Sequence, residues 1–139
     1  MVKISYRLCF LMILLTIGFM GNLLPDGWSM DKKTYNNVSV HEFVKMMNQK
    51  GFVLINVHIP YEGEIERTDT LIPFNAFDQF KSELPIDKDA KIVVYCMSGP
   101  MGDIAAEKLL SMGYTEVIHF QGGMRAWKRA GKQLLLRPK

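Results

Sequence analysis

Cys96-Met97-Ser98-Gly99-Pro100-Met101-Gly102 is the stretch whose residue types and spacing could carry chemistry. It follows the β-branched run Lys91–Tyr95 (KIVVY) and precedes a helical pattern. A cysteine at the carboxyl end of a buried strand lies where open α/β sheets bind ligands. A helix N-terminus ahead of it offers unpaired N–H groups and a partial positive charge, which favour thiolate over thiol. Gly99 and Gly102 allow the backbone to curl so that successive N–H groups point inward as an anion cradle. Pro100 contributes no N–H and stiffens the loop. On spacing alone, a small buried cysteine without chemistry is an equal alternative.

Other reactive residue types are scattered. His41, His58 and His119 show no metal-ligand spacing and are expected to be solvated or hydrogen-bonded, with His58, at a strand end, the one nearest a cleft. Glu62, Glu64, Glu66 and Asp69 read as a solvated acidic loop. Cys96, Met97 and Met101 are soft atoms close together, a composition that suits Cu(I), but packing is the expected role of both methionines. No metal and no cofactor is expected.

The elements that position the loop follow from pattern. Ser39 with Glu42 forms a capping box, and Phe43, Val44, Met46 and Met47 give the following helix an apolar face that Gly51 should end. Phe52–Val57, Lys91–Tyr95 and Glu116–Phe120 read as buried parallel strands. Leu71–Phe74 reads as a short strand closed by proline. Phe77, Phe80 and Leu84 recur at helical spacing over 76–84. Asp103–Met112 should be a helix with Ile104, Ala105, Leu109 and Met112 inward, and Met124–Ala130 a last short helix carrying Trp127. Strands alternating with helices predict an α/β domain with a central, mostly parallel sheet flanked by helices.

With these residues in order, the chain from about Val38 to Gly131 resembles the rhodanese-like (sulfurtransferase) family. The resemblance rests on VSVHEFVKMM, on VLINVHIPYEGEI in the place of the family's strand ending D-V-R, on IVVYCMSGPMGDIAAEKLLSMGY, and on VIHFQGGMRAWKRAG, close to a terminal G-G-x-x-A-W pattern. It implies a single rhodanese domain in which Cys96 takes sulfur from a donor as a persulfide and passes it to a nucleophilic acceptor. Residues 97–102 would be the substrate-binding loop. The family loop commonly reads C-R-x-G-x-R; here Met97 and Met101 stand at the cationic places. Thiolate stabilisation then falls to backbone N–H groups, and capture of a dianion such as thiosulfate should be weak. Asn56 and His58 replace the usual Asp and Arg, a change that bears on stability more than on chemistry.

Composition bounds the rest. The chain has 139 residues and 2 cysteines, enough for one domain plus an appendage and too few cysteines for a disulfide scaffold. Residues 1–25 hold Lys3 and Arg7 and no acid; removing these two from the 17 basic residues leaves 15 against 14 acids. The basicity is therefore largely N-terminal, and no nucleic-acid surface is expected. Leu8–Leu24 is an uncharged apolar run behind two positive charges, which fits a secretory signal or a short signal anchor. With Lys3 and Arg7 held inside, the domain would be extracytoplasmic, periplasmic or at the cell surface, either secreted or anchored to the membrane through 8–24. Cys9 lies inside that run. The expected layout is signal or anchor over 1–25, linker over 26–37, domain over 38–131 and basic tail over 132–139. Lys128, Arg129, Lys132, Arg137 and Lys139 make the C-terminus locally basic and read as solvated helix surface and tail.

Three functions compete. One is an extracytoplasmic sulfurtransferase working with a small sulfur donor or persulfide carrier and a protein acceptor. The second is a catalytically weak or inactive module of the same fold that binds a partner protein. The third, a cysteine-dependent phosphatase, lacks the arginine clamp that phosphoryl transfer needs.

Overall fold

The computed structural model describes residues 34–137. The apolar segment over 8–24, Cys9 and the first part of the expected linker lie outside the described residues. No helix among the described residues is long and apolar enough to cross a membrane.

Five parallel strands form one sheet in the order β1-β5-β4-β2-β3. They are β1 (Asn36–Val38), β2 (Val53–Asn56), β3 (Thr70–Leu71), β4 (Ile92–Tyr95) and β5 (Val117–Phe120). Three helices connect them: α1 (Val40–Asn48), α2 (Pro100–Ser111) and α3 (Gly123–Arg129). β4 is the central strand, buried along its length because helices cover both faces.

Strand alternation sorts the core into two layers. Ile92, Val94 and Cys96 face one side, with Ala105, Ala106 and Leu109 of α2, and with Phe77 and Tyr114. Val93 and Tyr95 face the other, with Phe43 and Met47 of α1 and Met124 and Trp127 of α3. There the Phe43 ring stacks on Phe120 at 4.2 Å and meets Trp127 edge-on at 5.7 Å.

The Ser39–Glu42 capping box starts α1, Ser39 Oγ accepting from Glu42 N and the Glu42 carboxylate from Ser39 N. α1 ends at Gln49, two residues before Gly51. The expected linker is shorter than its sequence suggested, since Asn36 and Asn37 belong to β1 and pair with Ile118 and His119. Helical spacing over 76–84 is met by successive i→i+3 turns and one 3-10 turn at Lys81–Glu83. These turns still seat Phe77 and Leu84 in the core. Ile104 is half exposed and does not point inward.

The described part of the basic tail is largely exposed but tied to the acidic stretch through Leu135 and Arg137. Leu135 and Glu64 exchange two backbone hydrogen bonds of 2.8 Å, and Arg137 Nε donates to Glu64 at 2.6 Å. The acidic stretch is likewise engaged: Glu62 meets His58 at 2.6 Å, and Asp69 accepts from Lys50 and from Leu54 N. Only Glu66 of the four acids is left without an ion pair among the described residues.

Candidate functional site

β4 delivers Cys96 to the carboxyl edge of the sheet with 2% of its surface exposed. The chain then folds back so that Gly99 N donates to Cys96 Sγ at 3.1 Å. Gly99 is also the N-cap of α2, at φ 139°, a conformation that favours glycine. Pro100 fills the first helical position, where a missing N–H costs nothing. Pro100, Met101 and Gly102, expected as loop, are thus the first turn of α2. That brings the helix end three residues closer to the sulfur than the pattern indicated.

The amides around the sulfur are partly free. Gly102 N and Asp103 N both donate to Gly99 O, at 2.8 and 3.1 Å. The N–H groups of Met97, Ser98 and Met101 have no acceptor among the described residues. Gly99 N is the amide that reaches Sγ, and it lies at the positive end of α2.

The two methionines part company. Met97 continues the alternation of β4 and packs against the α1/α3 layer, while Met101 packs against the α2 layer that contains Cys96. They therefore do not converge with Cys96 into a soft metal site. No group of three His, Cys, Asp or Glu side chains placed to hold a metal occurs among the described residues.

α3 supports the loop from below. Met124 N donates to Cys96 O and Arg125 N to Met97 O, each at 2.9 Å. The N-terminus of a second helix thus satisfies the two carbonyls that the end of β4 leaves unpaired. Tyr95, one residue before the cysteine, accepts from Ile65 N at 3.0 Å and lies 2.7 Å from Thr68 Oγ1. Burial pushes its phenol far above the ordinary value, so it stays neutral. It ties the long connection after β2 to the strand that carries the sulfur.

Asn56, buried at the end of β2, donates from Nδ2 to Gly63 O and accepts from His58 N, both at 3.0 Å. Its role is to shape the chain after β2. His58 lines a cavity of about 280 Å³ with Ile59, Tyr61, Leu71 and Phe80 at the same end of the sheet. His41 is exposed on α1. The cluster that sequence reasoning missed is His119, Asp103, Tyr35 and Asn37, under the first turn of α2. The signal was present in VIHF: alternation from Val117 turns His119 inward.

The fold places a buried thiol at the end of the central strand of a parallel α/β sheet, bonded by the N-cap amide of the following helix. Residues 39–130 match the rhodanese-like domain, and the chain belongs to that family. It is 32% identical over 91 residues to a sulfurtransferase of Allochromatium vinosum, covering 63% of this chain and 81% of the relative. It is 30% identical over 95 residues to a tRNA uridine(34) hydroxylase of Erwinia tasmaniensis, covering 63% of this chain and 27% of that protein. An uncharacterised protein of Synechocystis sp. matches at 30% over 106 residues, 73% of this chain and 58% of its own length. The chain thus spans from about a quarter to about three fifths of these last two curated relatives. A rhodanese-related protein of Thermoplasma volcanium shares the fold with TM-score 0.62 at 22% identity, over 74% of this chain and all of that one.

Proposed function

We propose that this chain is a sulfurtransferase that carries sulfane sulfur as a persulfide on Cys96. The observation that carries the reading is the 3.1 Å hydrogen bond from Gly99 N to Sγ, in a loop whose neighbouring amides are unengaged. In the first step the Cys96 thiolate attacks the outer sulfur of a donor persulfide, R–S–S⁻. The donor's S–S bond breaks, R–S⁻ leaves, and Cys96–S–S⁻ remains. In the second step an acceptor thiolate attacks the outer sulfur, and Cys96 is released as thiolate. Each species near the loop is an anion, and fixed N–H dipoles favour it without reorganising. Similarity to the Allochromatium vinosum sulfurtransferase supports this reading over a purely binding role.

The donor is a small persulfide or a persulfide carrier, and the acceptor a protein thiol. The basic-then-apolar start of the chain supports extracytoplasmic action, anchored through 8–24 or secreted. The test is the intact mass of the full chain after incubation with a persulfide donor. Wild type should gain one sulfur atom, labile to thiol, and pass it on. Cys96→Ser should gain none while keeping its stability within about 1 kcal/mol, since the hydroxyl can take over the Gly99 N–H. Equal transfer by both proteins overturns the assignment.

A further inference from the structure

β5 carries a histidine into the layer that holds Cys96. His119 is fully buried, with Val94 of β4 as its neighbour in register. Its Nδ1 lies 2.9 Å from Asp103 Oδ1 and 3.0 Å from Asn37 Oδ1. Both are acceptors, so Nδ1 carries the proton and, in the neutral ring, Nε2 holds only a lone pair. Nε2 has no partner among the described residues. It rests against Gly102, where a Cβ would overlap the ring. Tyr35 OH donates to the same Asp103 oxygen at 3.0 Å, and its ring meets His119 edge-on.

Gly102 and Asp103 are the residues whose N–H groups both bond Gly99 O, and Gly99 N–H is the donor to Cys96 Sγ. The links therefore run from His119 through Gly102 and Asp103 to Gly99, and from Gly99 to the sulfur.

We propose that His119 is a positioning residue for Cys96: neutral, it seats the first turn of α2, and protonated at Nε2, it unseats that turn and withdraws the amide from the sulfur. A proton on Nε2 has no acceptor, faces the positive end of α2 and presses on Gly102. The groups facing the ring are Asp103 and Gly102 from α2, Asn37 from β1, Tyr35 just before it, and the apolar Val94 from β4. Burial holds His119 below the ordinary histidine range, and the Asp103 carboxylate offsets this only in part. Burial and Asp103 raise the Tyr35 phenol, so it stays neutral. Near neutral and mildly acid pH, the Tyr35 phenol thus keeps its proton while His119 can gain one.

This inference rests on Cys96 as the reacting thiol and not on any sulfur donor. It is tested on the full chain by the rate of Cys96 alkylation with iodoacetamide, read by peptide mass between about pH 5 and 8. In wild type the plot of log rate against pH should steepen by one unit of slope at pH below the ordinary histidine range, where a second proton enters. His119→Asn places an amide nitrogen near Nδ1 and takes up no proton. It should show no such steepening, with a rate near wild type at the alkaline end. A purely structural role would change rates by one factor at every pH. Identical slopes in the two proteins overturn the proposal. Should His119→Asn not fold, Asp103→Asn, at a half-exposed position, decides. Without the carboxylate the steepening should move to lower pH, and an unmoved profile overturns the proposal. Sulfur transfer by Cys96→Ser would sink the proposed function and leave the alkylation profile standing.

Discussion

Gly123 packs directly against the backbone of Cys96: a Cβ on Gly123 would overlap the Cys96 carbonyl. The glycine pair after β5 therefore serves the loop after β4. Only without a side chain at 123 can α3 start close enough for Met124 N and Arg125 N to reach Cys96 O and Met97 O.

Gly123→Ala should accordingly loosen the sulfur loop as well as the fold. Its φ of +49° already disfavours a side chain, and the overlap adds to that. A loss of about 2–3 kcal/mol in urea denaturation is expected, together with slower persulfide formation per folded molecule. A variant as stable and as reactive as wild type would show that the close approach is unimportant.

Thiosulfate is expected to be a poor donor. Met97 and Met101 leave the loop without a side-chain cation, and one charge-assisted hydrogen bond contributes about 1.5–3 kcal/mol. Met97 packs on the opposite face, so the loss beside the sulfur is the one at 101, on the order of 10-fold or more in kcat/KM. Met101 is half-buried at the second position of α2, and an arginine there can lay its stem over the same core and turn its head outward. Met101→Arg should raise kcat/KM for thiosulfate and change it little for a small persulfide, measured as a pair. Efficient thiosulfate turnover by wild type would defeat the electrostatic argument.

Removing residues 132–139 should destabilise the domain. Glu64 is 8% exposed, and Arg137 Nε is its charged partner. Truncation also removes the Leu135 backbone pairing and the Gln133 carbonyl that accepts from Trp127 Nε1. A buried carboxylate left unpaired costs about 3 kcal/mol, read as a lowered thermal midpoint. An unchanged midpoint would return the tail to the role of solvated surface.

Stability should fall on mild acidification. His119 has a lowered folded pKa, so the unfolded chain takes up its proton first, near the ordinary 6.5. The unfolded state binds more protons below that value, and stability is lost as pH drops from 6.5 toward the lowered one. Denaturation at several pH values should show this slope in wild type and a flatter one in His119→Asn.

Much of the fold was legible from local chemistry. Ser39 and Glu42 announce α1 because their side chains bond the backbone within four residues. Val93–Tyr95 announces a central strand because both faces of a parallel sheet are covered. Cys96 was legible as the candidate thiol from its place between strand and helix. Spacing misled at 76–84, since i→i+3 turns and an α-helix both bring Phe77 and Leu84 to one side over so short a stretch. At the C-terminus Lys128, Arg129 and Lys132 are exposed as composition suggested, while Arg137 finds a partner 73 residues away that composition could not show.

The sequence by itself determined the inner strands, the helices α1, α2 and α3, and the thiol at the end of the central strand, because periodicity, caps and β-branched runs act over a few residues; it missed β1 and the turns over 76–84. Only the tertiary structure decided what surrounds the sulfur. Gly123 against Cys96, His119 against Gly102, and Met97 and Met101 in opposite layers are contacts across the sheet or between residues far apart in the chain. Such contacts depend on which strands become neighbours and on the face each residue presents, and these are set by the packing of the whole domain.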